Sequence, residues 1–158
     1  KPSHFQHIIH DLENLIPSGN TRFGQVIDSL SERISGRGLA IVISDFFARE
    51  EDLVKSLKLL SSRGLETILF HILHPDELLL PFEGDVVFES LEDDLPVGLD
   101  PHDIRDAYQT LIKEKINSFK NSFQSLGIDY VFLDTSMPLD QGLNYYLLKR
   151  KSLQKWRS

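Results

Sequence analysis

The chain has 158 residues and a net charge of −7 at neutral pH, a size that fits one domain. An acidic surface repels phosphate backbones, so nucleic acid is a poor candidate partner. The chain contains no cysteine, which excludes disulfides, thiolate zinc sites and a cysteine nucleophile and fits a reducing compartment such as the cytoplasm. No apolar run reaches the roughly 20 residues that span a bilayer.

Two amphipathic helices are predicted ahead of the first strand. Apolar residues recur at helical spacing over residues 5–16. After a loop, Thr21 can cap a second helix, whose apolar face runs over residues 23–34. Because the chain begins at Lys1 and enters a helix almost at once, we interpret it as part of a longer protein. A membrane anchor could lie in the upstream part.

Residues 39–43 form a continuous apolar run, Leu-Ala-Ile-Val-Ile, which predicts a strand buried on both faces of a parallel sheet. The run delivers Ser44 and Asp45 to the rim of the sheet, where open α/β sheets bind ligands. Both carry hard oxygen ligands of the kind that Mg²⁺ prefers, and Thr21 could add another. The alternative interpretation is that Asp45 and Thr21 only cap the helices that follow them.

Helices and strands alternate through the rest of the chain. We predict a helix over residues 50–63, a buried strand at 67–73, a loop at 74–84, a shorter strand at 85–91, a loop at 92–98, a helix over 100–127, a strand at 128–133 and a helix after Pro138. This order predicts the α/β class, with an open, mostly parallel sheet flanked by helices. Residues 1–150 form the domain, and residues 151–158 a basic C-terminal tail.

The same rim carries two further polar segments. Residues 74–77 offer an imidazole and two carboxylates. No serine or cysteine nucleophile with a neighbouring base is found near them in the sequence, so a surface turn is the preferred interpretation. Residues 134–136 most simply start the last helix. His71 lies inside a strand and is predicted to be a core histidine with its hydrogen bonds satisfied. No glycine-rich phosphate loop, dinucleotide fingerprint or nucleophile elbow is present.

Several short motifs follow one another at characteristic spacing. They are the strand that ends in Ser44-Asp45-Phe46, then Ser62-Arg63-Gly64, His74-Pro75-Asp76-Glu77, residues 88–92, Arg105-x-x-Tyr108, Gly127-Ile128-Asp129-Tyr130 and residues 139–150. Together they resemble the DUF58 family, a bacterial group with a von Willebrand A-like domain. The resemblance covers nearly the whole chain, although His74 and Ser90 stand where that family usually has aspartate.

The resemblance implies a metal-ion-dependent adhesion site, in which Mg²⁺ is held by an Asp-x-Ser-x-Ser element, a threonine and an aspartate. Thr21 stands at the threonine position and Asp45, next to Ser44, at the aspartate position. The Asp-x-Ser-x-Ser element and the first strands of the sheet are expected upstream of Lys1. This chain then carries an incomplete Mg²⁺ site, which should bind the ion weakly. The strand at residues 39–43 is left with an unpaired edge, through which we expect self-association.

The leading prediction is a non-enzymatic protein-interaction domain in which a metal assists partner binding. The resemblance further implies a MoxR-type AAA+ ATPase as the protein partner. The alternative is a Mg²⁺-dependent hydrolase or phosphoryl-transfer enzyme that uses Asp45, with Asp134 as the candidate second carboxylate. A third interpretation is a structural spacer with a degenerate site.

Overall fold

The structure, a computed structural model, describes residues 2–16, 23–34, 36, 38–47, 49–88 and 97–155. Its helices are α1 (Pro2–Glu13), α2 (Phe23–Arg33), α3 (Glu50–Ser62), α4 (Pro75–Leu79), α5 (Pro101–Ser125) and α6 (Leu139–Lys155). Its strands are β1 (Gly38–Ser44), β2 (Leu65–Leu73), β3 (Val86–Phe88), β4 (Val97–Leu99) and β5 (Asp129–Asp134). Within these ranges, no helix is long and apolar enough to cross a bilayer.

A three-stranded parallel sheet, in the order β1-β2-β5, carries the fold. β2 is paired on both sides, with Ile68 opposite Ile41 of β1 and Leu69 opposite Tyr130 of β5. Continuous apolar runs favour this arrangement, because the strands of a parallel sheet are normally covered by helices. The predicted class, an open α/β sheet flanked by helices, is confirmed.

One face of the sheet is covered by α2, α3 and α5, and this layer holds the main core. Each of the three helices contributes one apolar stripe, as expected from the helical period. The helix residues buried there are Ile27 of α2, Leu53, Leu57 and Leu60 of α3, and Phe119 and Phe123 of α5. They pack on strand residues that include Ala40, Leu69 and Tyr130.

The long helix α5 begins and ends where the sequence predicts. The Asp100 side chain accepts a hydrogen bond from the amide of His102, and Pro101 occupies the first helical turn, where its missing amide costs nothing. Gly127 follows the helix with a φ of +72°, a conformation that glycine adopts without steric cost.

The opposite face of the sheet is partly covered by α6. The buried ring of Tyr146 packs against Phe70, with centroids 5.7 Å apart. Gly142 lets the helix approach β5 closely, since a β-carbon there would lie 2.6 Å from Leu133 Cδ2. Leu139, Leu143 and Leu147 of the same helix are exposed, so the contact is limited to the stripe that holds Gly142 and Tyr146.

β1 is exposed on one face, so the prediction of a strand buried on both faces is wrong. Ala40 and Val42 face the main core, whereas Leu39, Ile41 and Ile43 are 49%, 55% and 65% exposed. The side chains packed with α6 come from β2 and β5, so this part of the face has no cover among the described residues. β1 is also an edge strand of the described sheet, as predicted.

α1 forms as a helix, but its apolar face is not buried. Phe5, Ile8, Ile9 and Leu12 are all exposed, although their spacing predicted a core contact. The period of the apolar residues therefore locates a helix without identifying what covers it. Thr21, the predicted cap of the second helix, lies outside the described residues.

The segment between β2 and α5 differs most from the prediction. The strand predicted at residues 85–91 is β3, and it pairs antiparallel with β4 in a separate two-stranded sheet. Residues 97–98, predicted as loop, belong to β4, and the loop predicted at 74–84 contains α4. Alternation of apolar and polar residues indicates a strand but not its partner, and β3 pairs locally.

Candidate functional site at the carboxyl rim of the sheet

The carboxyl ends of the three parallel strands meet at one rim, as predicted. β1 ends at Ser44, which lies opposite His71 of β2. β5 ends at Asp134, which lies opposite Leu73 of β2. The polar segments that follow the strands therefore share the side of the sheet on which open α/β folds bind their ligands.

The turn after β1 is held by short-range hydrogen bonds. The Ser44 hydroxyl accepts from the amide of Phe46 at 3.0 Å and donates to Asp45 Oδ1 at 3.4 Å. The same carboxylate oxygen accepts from the amide of Phe47 at 3.4 Å. Asp45 thus closes a local turn, and the interpretation that it caps the next helix is wrong. α3 begins later, with Arg49 at its N-cap and no side-chain cap.

Phe46 fixes this turn to the core. It has a φ of +51°, a conformation that is strained for a bulky residue. Its side chain is 1% exposed and packs edge-to-face against the rings of Phe23, His71 and Phe119. Burial of a large aromatic ring offsets the backbone strain. Sequence reasoning missed this residue, although its place directly after Ser44-Asp45 was the available signal.

His71 links the rim turn to the opposite edge of the sheet. Its Nδ1 lies 2.6 Å from the hydroxyl of Tyr130 on β5, and the backbone of Asp45 hydrogen-bonds to the same imidazole. A neutral imidazole has one donor and one acceptor nitrogen. The tautomer of the ring decides whether Nδ1 or the Tyr130 hydroxyl is the donor in their hydrogen bond. The prediction of a core histidine with satisfied hydrogen bonds is confirmed.

The electrostatics around His71 keep the ring uncharged. Burial is the main cause that lowers its pKa from 6.5 to about 4, and the positive charge of Lys115 adds to the effect. The hydrogen bond to the Asp45 backbone and the charge of the Asp45 carboxylate act in the opposite direction. At neutral pH the imidazole is therefore a structural hydrogen-bonding group rather than a cation.

Asp134 closes a second turn at the rim. Its Oδ1 accepts from the amide of Ser136 at 2.7 Å. Hydrogen bonds from the Ser136 amide and hydroxyl hold the pKa of the Asp134 carboxyl below its usual value, and the charge of His74 adds to them. α6 begins only at Leu139. The interpretation that residues 134–136 start the last helix is therefore wrong by one turn.

Residues 74–77 form the start of α4 rather than a plain surface turn. The amide of Asp76 donates to His74 Nδ1 at 3.2 Å, and the amide of His74 donates to Glu77 Oε2 at 2.6 Å. This is a capping box with proline at the first helical position. The four residues already carried that signal, which the sequence analysis missed. The His74 ring and the Glu77 carboxylate are engaged in capping the helix, whereas Asp76 contributes its backbone amide.

An open groove of about 1210 Å³ adjoins the rim between α2, the turn after β1 and α3. Ser44 and Asp45 line it together with Glu50 and Glu51 of α3 and Asp28 of α2. The groove gives a ligand or partner access to Asp45, which is itself exposed. Five carboxylates and two lysines, Lys55 and Lys58, line the groove, so its net negative charge favours a cationic group over an anionic one.

Ser44 and Asp45 are the predicted metal ligands that the structure describes. Among the side chains that the structure describes, no three histidine or carboxylate groups lie close enough to hold a metal ion. Ser44 and Asp45 offer three side-chain oxygens, and two of them, Ser44 Oγ and Asp45 Oδ1, already accept hydrogen bonds from the turn. Mg²⁺ keeps several waters among its six ligands, but a single carboxylate with one oxygen already engaged holds it only weakly. Thr21 lies outside the described residues.

The fold and rim define an open α/β domain whose parallel sheet presents a Ser-Asp turn beside a groove. The family model DUF58, described as a protein of unknown function, matches residues 2–117. The matched range covers most of the chain, and the protein belongs to the DUF58 family. No match was found among curated proteins, and none among solved structures.

Replacement of Phe46 tests its role in fixing the rim turn. We expect Phe46→Ala to lower the free energy of unfolding by about 3–5 kcal/mol, because it leaves a cavity among buried rings. Phe47→Ala is the matched control, since Phe47 is 64% exposed and the ammonium of Lys115 lies 5.3 Å over its ring. It should cost about 1 kcal/mol or less. Urea unfolding measures both, and equal losses would contradict the anchoring role.

The lowered pKa of His71 predicts a loss of stability in mild acid. The unfolded chain binds a proton at His71 below pH 6.5, whereas the folded chain does so only near pH 4. Stability from this group is therefore complete above pH 6.5 and falls as the pH drops toward 4. Between pH 7 and 5 we expect the free energy of unfolding to fall by about 1–2 kcal/mol from this group.

Urea unfolding at the two pH values checks this, with His71→Asn as the variant that cannot titrate. The difference between pH 7 and 5 should shrink in His71→Asn. It should be unchanged in His102→Asn, because His102 is exposed and uses its amide, not its ring, in capping α5. An unchanged difference in His71→Asn would mean that other groups cause the pH dependence.

Proposed function

We propose that this DUF58 chain is a non-enzymatic protein-interaction domain that binds a partner along the outer edge of β1. The observation that carries the proposal is the exposure of Leu39, Ile41 and Ile43 on a strand with no described neighbour on its outer edge. An edge strand presents free amides and carbonyls, which pair readily with a strand from another protein. The apolar side chains would then be covered by the same partner.

The composition of β1 supports this proposal. Proteins usually protect an exposed edge with a charged residue, a proline or a bulge. β1, from Gly38 to Ser44, contains no charge and no proline, and it pairs with β2 in continuous register. An unprotected apolar edge of seven residues is a liability in a free chain and an advantage in a chain that is normally paired.

A metal-assisted contact would extend the same surface. In this proposal the von Willebrand A-like relationship gives Asp45, Ser44 and Thr21 a share in a Mg²⁺ site at the end of β1, and Mg²⁺ supplies an open position for a carboxylate of the partner. The nature of the partner, a MoxR-type AAA+ ATPase, rests on the family resemblance. What the structure contributes in support is the place of Asp45, exposed and directly after the proposed binding strand.

The edge proposal is tested by a charge on the exposed face of β1. Ile41→Lys should weaken binding to a purified MoxR-type AAA+ ATPase at least about tenfold, since a lysine on an edge strand opposes strand addition. Val87→Lys is the control, because Val87 is also an exposed strand residue but lies on β3. Biolayer interferometry measures both.

Light scattering at high protein concentration completes this test. Self-association that Ile41→Lys abolishes and Val87→Lys preserves would support the edge as a binding surface. A wild-type chain that neither self-associates nor binds the ATPase would contradict the proposal, as would an equal effect of the two lysine variants.

The metal part of the proposal is tested by calorimetric titration with MgCl₂. Because Ser44 Oγ and Asp45 Oδ1 already accept hydrogen bonds from the turn, we expect a dissociation constant of about 1 mM or weaker. Asp45→Ala should abolish the binding heat, while Asp134→Ala, at the same rim, should leave it unchanged. Binding that survives Asp45→Ala would place the ion elsewhere.

The alternative proposal is a Mg²⁺-dependent hydrolase or phosphoryl-transfer enzyme that uses Asp45, with Asp134 as the second carboxylate. The observation in its favour is the groove of about 1210 Å³ beside Asp45. Against it, Asp134 Oδ1 is engaged by the Ser136 amide. Phosphoester hydrolysis in the presence of Mg²⁺ that falls on Asp45→Ala would replace the interaction proposal with this one.

A further inference from the structure

A second cavity lies away from the rim, between α4, the β3–β4 hairpin and the start of α5. Its volume is about 410 Å³, within the range of small ligand sites. Its apolar lining comes from the segment after α4, from β3 and β4 and from α5: Leu80, Phe82, Phe88, Val97, Leu99 and Ile104. Asp76 and Glu77 of α4 and Tyr108 of α5 complete the lining. Phe82, Val97 and Ile104 remain exposed to solvent, so the cavity opens at the surface.

The walls of this cavity are fixed by hydrogen bonds from α5. Arg105 donates to the carbonyls of Leu80 at 2.9 Å and Phe82 at 2.6 Å. Tyr108 donates from its hydroxyl to the Glu77 carbonyl at 2.6 Å. Phe82 and Phe88 meet edge-to-face, with centroids 5.8 Å apart. An apolar opening held in one shape binds with a smaller entropy cost than one that must first form.

The charge around the cavity is strongly acidic. The described parts of this segment, residues 74–88 and 97–108, contain seven aspartates and glutamates but only one lysine or arginine. That one is Arg105, whose guanidinium is already bonded to the cavity wall. Asp76 and Glu77 line the cavity, and Glu83 and Asp85 are exposed on the segment that leads into β3. Anionic ligands are repelled here, and cationic ones are attracted.

We propose that this cavity binds a protein segment with an apolar anchor side chain flanked by lysine or arginine. The apolar lining accepts a leucine-, isoleucine- or phenylalanine-sized group, and the carboxylates around the opening pair with cations on either side of it. A neutral small molecule would use the lining but gain nothing from the surrounding charge. The surface uses none of the residues of β1, so it is independent of the edge contact proposed above.

The probe is a fluorescein-labelled decapeptide with two central leucines flanked on each side by arginines. Fluorescence anisotropy should show saturable binding that weakens as NaCl rises from about 50 to 500 mM. A peptide with glutamates in place of the arginines should not bind. The site is located with two variants that make the same charge change: Val97→Lys, which lines the cavity, and Val87→Lys, which does not.

Val97 and Val87 are 53% and 62% exposed, so both substitutions are tolerated at the surface, and circular dichroism verifies the fold. Binding should weaken at least about tenfold in Val97→Lys and less than about threefold in Val87→Lys. Ile41→Lys should bind the peptide normally, which separates this surface from the β1 edge.

Three results would overturn the proposal. They are no binding at peptide concentrations up to about 1 mM, equal binding of the glutamate peptide, and equal weakening by the two valine variants. Self-association of the free chain that Val97→Lys abolishes would instead assign the cavity to a second copy, whose basic C-terminal residues supply the cations.

Discussion

The buried imidazole of His71 is the constraint on which the rim depends. It joins Tyr130 of β5 to the backbone of Asp45 after β1, so the central strand connects both edges of the sheet through one side chain. Phe46 packs against the same ring, with centroids 5.4 Å apart, and its burial holds the left-handed backbone of the turn. The turn that holds Ser44 and Asp45 is thus fixed from inside the core, beside a histidine that burial keeps neutral. A rigid scaffold that positions polar residues at its surface is the general arrangement of binding sites on loops.

The two faces of the sheet are covered to different extents across its width. On the face of the main core, three helices cover all three strands, and Leu69 at the centre is fully buried. On the other face, the packing around Tyr146 reaches Phe70 and Ile68 of β2 but leaves Ile41 and Ile43 of β1 exposed. The hydrophobic effect favours covering such side chains, and the unpaired edge of the same strand favours pairing. A single partner strand would both cover these side chains and pair with the free edge.

The sequence predicted what local chemistry determines and missed what depends on distant contacts. The parallel strands, the cap and proline that start α5, and the Ser-Asp turn at the rim all follow from residues within a few positions of one another. The burial of β1 was wrong because an apolar run shows that a strand tends to be buried, not which elements are present to bury it. The cap assigned to Asp45 was wrong because α3 begins at Glu50, beyond the reach of that carboxylate. Tyr130 lies 59 residues from His71 in the chain, and no periodicity connects them.

The two proposed surfaces would bind by different physical means. Backbone pairing along β1 depends on amides and carbonyls that every sequence has, so it gives affinity with little selectivity. The apolar cavity beside α4 requires an anchor of a particular size, and the surrounding acidic residues require cations next to it, so it discriminates among sequences. Outside residues 74–108 the basic residues outnumber the acidic ones, so the excess of acidic residues falls in the segment that supplies the cavity walls. Asp76 and Glu77 line the cavity, and the combination of these carboxylates with an apolar lining determines which ligands the surface selects.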